Sequence, residues 1–125
     1  MSTSHPTQAI VLFGHGSRDP LWHKPMEAVM QRIRHDKPEW AVACAYLEIS
    51  TPDLATACQQ LIAHGVQRIA VVPMFLGVGR HAREDLPQLL AALRDQYPQI
   101  AWELRPAVSE DPRLLQALCD IAVNP

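Results

Sequence analysis

Ala9-Ile10-Val11-Leu12-Phe13-Gly14-His15-Gly16-Ser17-Arg18 changes character halfway along its length. The first half is apolar without alternation and too short for a helix, which is the signature of a parallel strand buried on both faces. The second half is a glycine-bearing turn. Beyond it Trp22, Met26, Val29, Met30 and Ile33 recur at helical spacing, with Pro20 and Pro25 tolerable only near the first turn, and a helix over about 20–35 follows. Strand, glycine turn and amphipathic helix together make one βα unit.

The same unit repeats along the chain. Val42-Ala43-Cys44-Ala45-Tyr46-Leu47 reads as a second buried strand, and Thr51-Pro52-Asp53 supplies a cap and an N-terminal proline for a helix carrying Leu54, Cys58, Leu61 and Ile62. His64-Gly65 ends it. Ile69-Ala70-Val71-Val72 is the third strand, and Pro73 stops its ladder, leaving Met74 to Arg80 as a loop. Leu86, Leu89, Leu90, Leu93 and Tyr97 mark the third helix, with Glu84 and Asp85 in its first turn. Ile100 to Leu104 alternates like an edge strand. Asp111-Pro112 opens a last helix with the stripe Leu114, Leu115, Leu118 and Ile121. Like Trp22 and Met26, that stripe stands at core spacing.

Four βα units predict an α/β fold, a small doubly wound parallel sheet of order 2-1-3-4 with helices on both faces. Residues 1–7 read as a flexible lead and 8–125 as a single domain. In that order strands 1 and 3 are neighbours whose connections leave to opposite faces, so a crevice opens at their carboxyl ends. Topology therefore nominates Gly14 to Asp19 and Met74 to Asp85 before any chemistry is considered.

Composition narrows the function. With 125 residues, 48% of them apolar, the chain can bury a core, and at net charge -2 without charge blocks it offers no surface for nucleic acid or an anionic membrane. Cys44, Cys58 and Cys119 form no CxxC pair, which argues against disulfides or a cysteine-based zinc site and for a reducing cytoplasm. No window has the length of a membrane span, and the N-terminus has no apolar signal region. Neither GxGxxG nor GxxxxGK[ST] occurs, so nucleotide motifs are absent.

Each nominated loop carries a histidine beside glycines, His15 between Gly14 and Gly16 and His81 after Gly77 and Gly79. Imidazole suits Co, Ni, Fe, Cu and Zn and also takes up protons near neutrality, so metal handling and proton transfer are both open. The competing reading makes His15 a turn residue and His81 a helix-start residue, each satisfied by backbone. Glu48, at the carboxyl end of strand 2, could accept protons or orient a metal-bound water. Arg18, Arg80 and Arg83 flank the histidines and suit an anionic ligand. His5, His23, His35 and His64 receive no role.

Val11-Leu12-Phe13-Gly14-His15-Gly16-Ser17-Arg18, Val72-Pro73-Met74-Phe75-Leu76 and Gly79-Arg80-His81-Ala82-Arg83-Glu84-Asp85-Leu86-Pro87 together closely resemble the sirohydrochlorin chelatase family in its short, single-unit form. The resemblance runs from about residue 8 to about residue 120. It implies ATP-independent insertion of a divalent metal, cobalt, iron or in some members nickel, into a sirohydrochlorin-type tetrapyrrole, with the metal as substrate and no organic cofactor. His15 and His81 match the paired histidines that bind the metal and help remove the pyrrole protons. Glu48 matches an acidic rim position. Ser17, Arg18, Arg80 and Arg83 would hold the substrate, the arginines through its peripheral carboxylates. A homodimer is expected, because longer family members look like two such units fused. Two other readings remain: a non-enzymatic metal or tetrapyrrole carrier using the same histidines, and a histidine phosphatase-like enzyme, which normally has Arg where Phe13-Gly14 precedes His15.

Overall fold

The computed structural model describes residues 5–77 and 79–124, and of His81 the backbone alone. Four parallel strands, β1 (Gln8–Gly14), β2 (Trp40–Tyr46), β3 (Arg68–Pro73) and β4 (Ala101–Leu104), form one sheet in the order β2-β1-β3-β4. The expected order holds, and β4 is an edge strand. Gly14 pairs with Tyr46 and Phe13 with Pro73, so β1, β2 and β3 end nearly level. Their carboxyl-end loops therefore emerge side by side.

The unbroken apolar runs fill both faces of this sheet. Ala9, Val11, Phe13, Ile69 and Val71 point to one side, against α2 (Leu54–Ala63) and α3 (Arg80–Gln96), whose Ala57, Cys58, Leu86, Leu90 and Leu93 close the main core. Leu12, Val42, Cys44 and Tyr46 point to the other, where Met26, Met30 and Ile33 of α1 (Lys24–Asp36) cover them. Burial pushes the Cys58 thiol up to about 12, as expected where no partner stabilises a thiolate.

Several expectations need correction. The first helical stretch is a short 3-10 helix (Pro20–His23) followed by α1, and Trp22 is 40% exposed rather than core. Pro73 is the last paired residue of β3, and Met74 N–H resumes the ladder by donating to Phe13 O at 2.8 Å. The cap of α2 is Asp53, which accepts from Thr56 N–H at 2.8 Å, so Thr51 and Pro52 lie before the helix. The Thr56 side chain first, and then this backbone bond, lower the Asp53 pKa.

The third helix starts a full turn early, at Arg80, which places Glu84 and Asp85 beyond its first turn and Pro87 in its interior. Pro87 has no N–H to offer Arg83 O, but both residues are exposed, so water can take that carbonyl. The widest departure is α4 (Pro112–Val123), which buries no residue. Leu115 is 56% and Ile121 67% exposed. The outer strand explains it: the side of β4 turned away from α3 shows exposed Ala101 and Glu103, the latter paired to Arg105 at 2.7 Å, and offers a helix no apolar bed.

Candidate active site

β1 delivers His15 to the rim of the sheet, and an aromatic side chain from β3's exit holds it there. Phe75, 3% exposed, packs on the His15 ring with centroids 4.2 Å apart and a 31° tilt. Phe75 is braced in turn by Phe13, 6.0 Å away in an edge arrangement. One imidazole face thus rests on the core while the residue as a whole stays half-buried. Ring contacts of this kind contribute about 0.5–1.5 kcal/mol beyond burial, enough to restrict the side chain without removing it from solvent.

The backbone around His15 is tied to the exit of β2. Leu47 N–H donates to Gly14 O at 2.9 Å and Glu48 N–H to His15 O at 3.1 Å, extending the β1–β2 pairing past the strands. Gly16 has φ +102°, and a Cβ there would stand 1.8 Å from Glu48 O. The glycine after His15 is therefore required by the neighbouring segment. Ser17 N–H donates to Ser50 Oγ at 2.9 Å and Ser50 Oγ–H to Ser17 O at 2.8 Å, a reciprocal clamp between the two loops.

Between these ties lies a strained turn. Ile49 has φ +70°, and Ser50 N–H donates to Glu48 O across it at 2.7 Å, which makes residues 48–50 a γ-turn with a β-branched residue at its centre. Such conformers are unfavourable by about 1–3 kcal/mol and persist where the surroundings over-determine them. Here the surroundings are the His15 loop, and the residue presented is Glu48, whose side chain is exposed at the rim.

Across β1 from this turn, β3 leads to α3. His81 lies in the first turn of α3, not in a loop; its side chain lies outside the described residues. Gly79 caps the helix without a side-chain bond, and a Cβ at Gly77 or Gly79 would meet nothing within 4 Å among the described residues. Arg80 pairs with Glu84 at 3.0 Å, an exposed contact of small energetic value that leaves the guanidinium able to exchange partners. Arg18 is exposed too. Arg83 lines a groove of about 210 Å³ with Phe75, Leu86 and Arg105.

Glu48 and Asp85 line a common groove of about 420 Å³ between the β2 exit and α3, within the range of small-molecule sites. A hollow of about 530 Å³ opens at the opposite, amino ends of the strands beside Gln8, Trp40 and Arg68, far along the sheet from His15. Among the described residues no three His, Cys, Asp or Glu side chains form a metal cage.

The structure thus ties the backbones of His15, Glu48 and Ser17 into one bonded cluster and places Arg80 and the backbone of His81 in the first turn of α3, while Arg83 faces the groove toward Leu104 and Arg105. Ser17 serves that cluster mainly through its backbone, and its Oγ accepts from Asp19 N–H at 3.1 Å. Sequence reasoning passed over Phe75, Ser50, Tyr46 and His23. His23 was set aside as a helix-end residue, but the segment before α1 winds as a 3-10 helix with a tighter turn. Its ring is half-buried, with Nε2 3.0 Å from Ser50 Oγ and 3.3 Å from Ser17 O.

Comparison with known proteins gives the family and the fold. The sequence model of the CbiX family matches residues 9–123. A sirohydrochlorin cobaltochelatase of Methanococcus aeolicus is 33% identical over 86 residues, which are 69% of this chain and 60% of that one. A sirohydrochlorin ferrochelatase of Bacillus subtilis is 25% identical over 111 residues, 89% of this chain and 42% of that one. The matched part thus spans less than two thirds of these relatives' own length. Among solved structures, a CbiX protein from Marinobacter aquaeolei, named for cobalamin biosynthesis, superposes with TM-score 0.80 at 30% identity over 93% of this chain and 94% of that one. The sirohydrochlorin chelatase SirB of Bacillus subtilis, in complex with cobalt, superposes with TM-score 0.79 at 25% identity over 94% of this chain and 50% of that one. On the extent of the family match and the shared fold, this chain belongs to the CbiX family of sirohydrochlorin chelatases.

Proposed function

We propose that this protein inserts a divalent metal, cobalt or iron, into a sirohydrochlorin-type tetrapyrrole without ATP, using His15 and His81 to hold the incoming ion. The observation that carries this reading is the rim of the β1–β3 crevice, where His15, stacked on Phe75, and Glu48, tied to it through backbone, stand opposite the first turn of α3. Neutral imidazoles hold a partly dehydrated dication loosely enough to release it. As the metal passes to the macrocycle, two pyrrole N–H protons leave, one dication entering for two protons. The freed imidazoles accept them, and Glu48 passes them to water. Ser17, Arg18, Arg80 and Arg83 orient the substrate's carboxylates. The same donors accept nickel, because imidazole and carboxylate order these ions mainly by the metal's own chemistry.

The proposal includes a homodimer. One crevice covers one side of a flat macrocycle, while ligand sites normally bury most of the ligand. The cobalt-bound SirB chain is matched over half its length, so a second copy here would take the place of its other half. Exposed members of the Trp22 to Met30 stretch, Trp22 and Val29, and Leu115, Leu118 and Ile121 of α4 offer apolar surface for that contact. Free thiols at Cys44, Cys58 and Cys119 suit a reducing cytoplasm, and among the described residues no helix is long and apolar enough to cross a membrane.

Absorbance-monitored insertion under anaerobic conditions, with sirohydrochlorin and Co²⁺, Fe²⁺ or Ni²⁺, tests the activity. Repeated turnover with cobalt or iron supports it. Stoichiometric uptake without turnover would mark a carrier. Light scattering at micromolar concentration should give twice the chain mass, and a monomer inserting metal at full rate would overturn the shared cleft.

A further inference from the structure

His23 stands eight residues beyond His15 in the chain, yet it reaches back to that loop. Its ring packs 4.8 Å from the Tyr46 ring and 5.6 Å from Trp22, so it is sandwiched between the end of β2 and the 3-10 helix. Nε2 lies 3.3 Å from Ser17 O and 3.0 Å from Ser50 Oγ, and because a carbonyl only accepts, the tautomer with its hydrogen on Nε2 shares that hydrogen between the two oxygens. In that tautomer the Ser50 hydroxyl gives its one hydrogen to Ser17 O and accepts from Ser17 N–H and from the shared His23 Nε2–H.

What this network braces is the γ-turn of residues 48–50. Ile49 at φ +70° would relax if nothing held Ser50 from outside, and the outside hold is Ser17 in front and His23 behind. Glu48, first residue of the turn, bonds through its N–H to His15 O. A displacement of Ser50 is therefore passed to both side chains assigned to proton removal. We propose that His23 is a positioning residue which, through Ser50, sets the Glu48 carboxylate against His15. The inference rests on the function proposed above and deepens it.

The test compares His23→Ala, His23→Gln, Ser50→Ala and the His23→Ala/Ser50→Ala double variant in anaerobic Co²⁺ insertion and in amide hydrogen exchange at Ser17, read by NMR. Each alanine variant should lower kcat about tenfold and leave KM for the tetrapyrrole within about twofold, as loss of alignment rather than of substrate binding. The double variant should be no slower than the slower single one, because both break one chain of contacts. His23→Gln, whose amide can donate to the same oxygens, should restore at least half the rate. Ser17 exchange should quicken in the alanine variants and stay slow in His23→Gln. Full kcat in His23→Ala, no rescue by glutamine, or multiplying losses in the double variant would overturn the proposal. If His23→Ala fails to fold, Ser50→Ala and His23→Gln decide by the same criteria. Should the unaltered protein insert no metal, the functional reading falls. Ser17 exchange then decides the positioning claim by itself, faster in the alanine variants and slow in His23→Gln supporting it and equal in His23→Ala and the unaltered protein overturning it.

Discussion

The two loops that flank the β1–β3 crevice are held in opposite ways. After β1, Gly14, His15 and Ser17 are each bonded to residues 47–50, and Gly16 fits only because it has no side chain. After β3, Gly79 caps α3 with open space around it and no side-chain cap. One jaw of the candidate site is therefore anchored through its backbone to a neighbouring strand exit. The other rides on the end of a helix. The difference teaches that glycines with similar motif positions can have unrelated jobs, packing in the first case and clearance in the second.

The largest effect expected from that contrast is at Gly16. Gly16→Ala forces an L-residue into φ +102° and a Cβ to 1.8 Å from Glu48 O. The conformer alone is unfavourable by about 1–2 kcal/mol, and the overlap must push back a backbone that cannot swing aside. Chemical denaturation should show a loss of at least about 3 kcal/mol, and insertion should fall by about 10²-fold or more. Gly79→Ala should change stability by under about 1 kcal/mol and activity by about twofold at most. Equal penalties at the two sites would break the comparison.

A second contrast, between the closed and open faces, predicts thiol behaviour. Cys58 is buried, with its pKa pushed up to about 12, while Cys119 on α4 is exposed. A maleimide at neutral pH should label Cys119 within minutes and Cys58 only on unfolding. Because the folded pKa lies above the thiol's ordinary value of 9.0, Cys58's contribution is intact below about pH 9 and is lost as pH rises toward about 12. Labelling of Cys58 as fast as Cys119 would mean the α2 face opens freely.

The smallest effect concerns α4. Asp111 caps this helix by accepting Arg113 N–H, and its carboxylate, held chiefly by the Arg113 side chain, has its pKa lowered to about 2. Since the folded value is depressed below 3.8, the cap is complete above about pH 4 and is lost as pH falls toward 2. Circular dichroism should show a little helix melting over that window in the unaltered protein and none in Asp111→Ala.

Topology and the strand ends were legible because burial on both sides of a parallel sheet writes itself as unbroken apolar runs, as in residues 9–13 and 69–72. The pairing of β1 with β3 then nominated residues 14–19 and 74–85 without further information. Element starts were less legible. Thr51-Pro52 looked like a helix entry, yet Asp53 carries the capping oxygen, and Glu84-Asp85 marked a first turn that begins at Arg80. The stripe on α4 has the period of a buried face, but period records only that apolar residues share a side, and β4 supplies nothing to receive them. The site followed the same division. His15 and Glu48 were readable from strand ends. Phe75, Ser50 and His23 act through contacts between segments distant in sequence, which no local pattern carries.

The central claim is that His15, fixed on Phe75 at the crevice, handles the metal. Its most direct measurement is the initial rate of Co²⁺ insertion into sirohydrochlorin by the unaltered protein, His15→Ala and His81→Ala under identical anaerobic conditions, with folding checked by thermal melting. The account predicts multiple turnovers for the unaltered protein and a loss of about 10²-fold or more in each variant with the fold retained. Turnover in both variants close to that of the unaltered protein would contradict it.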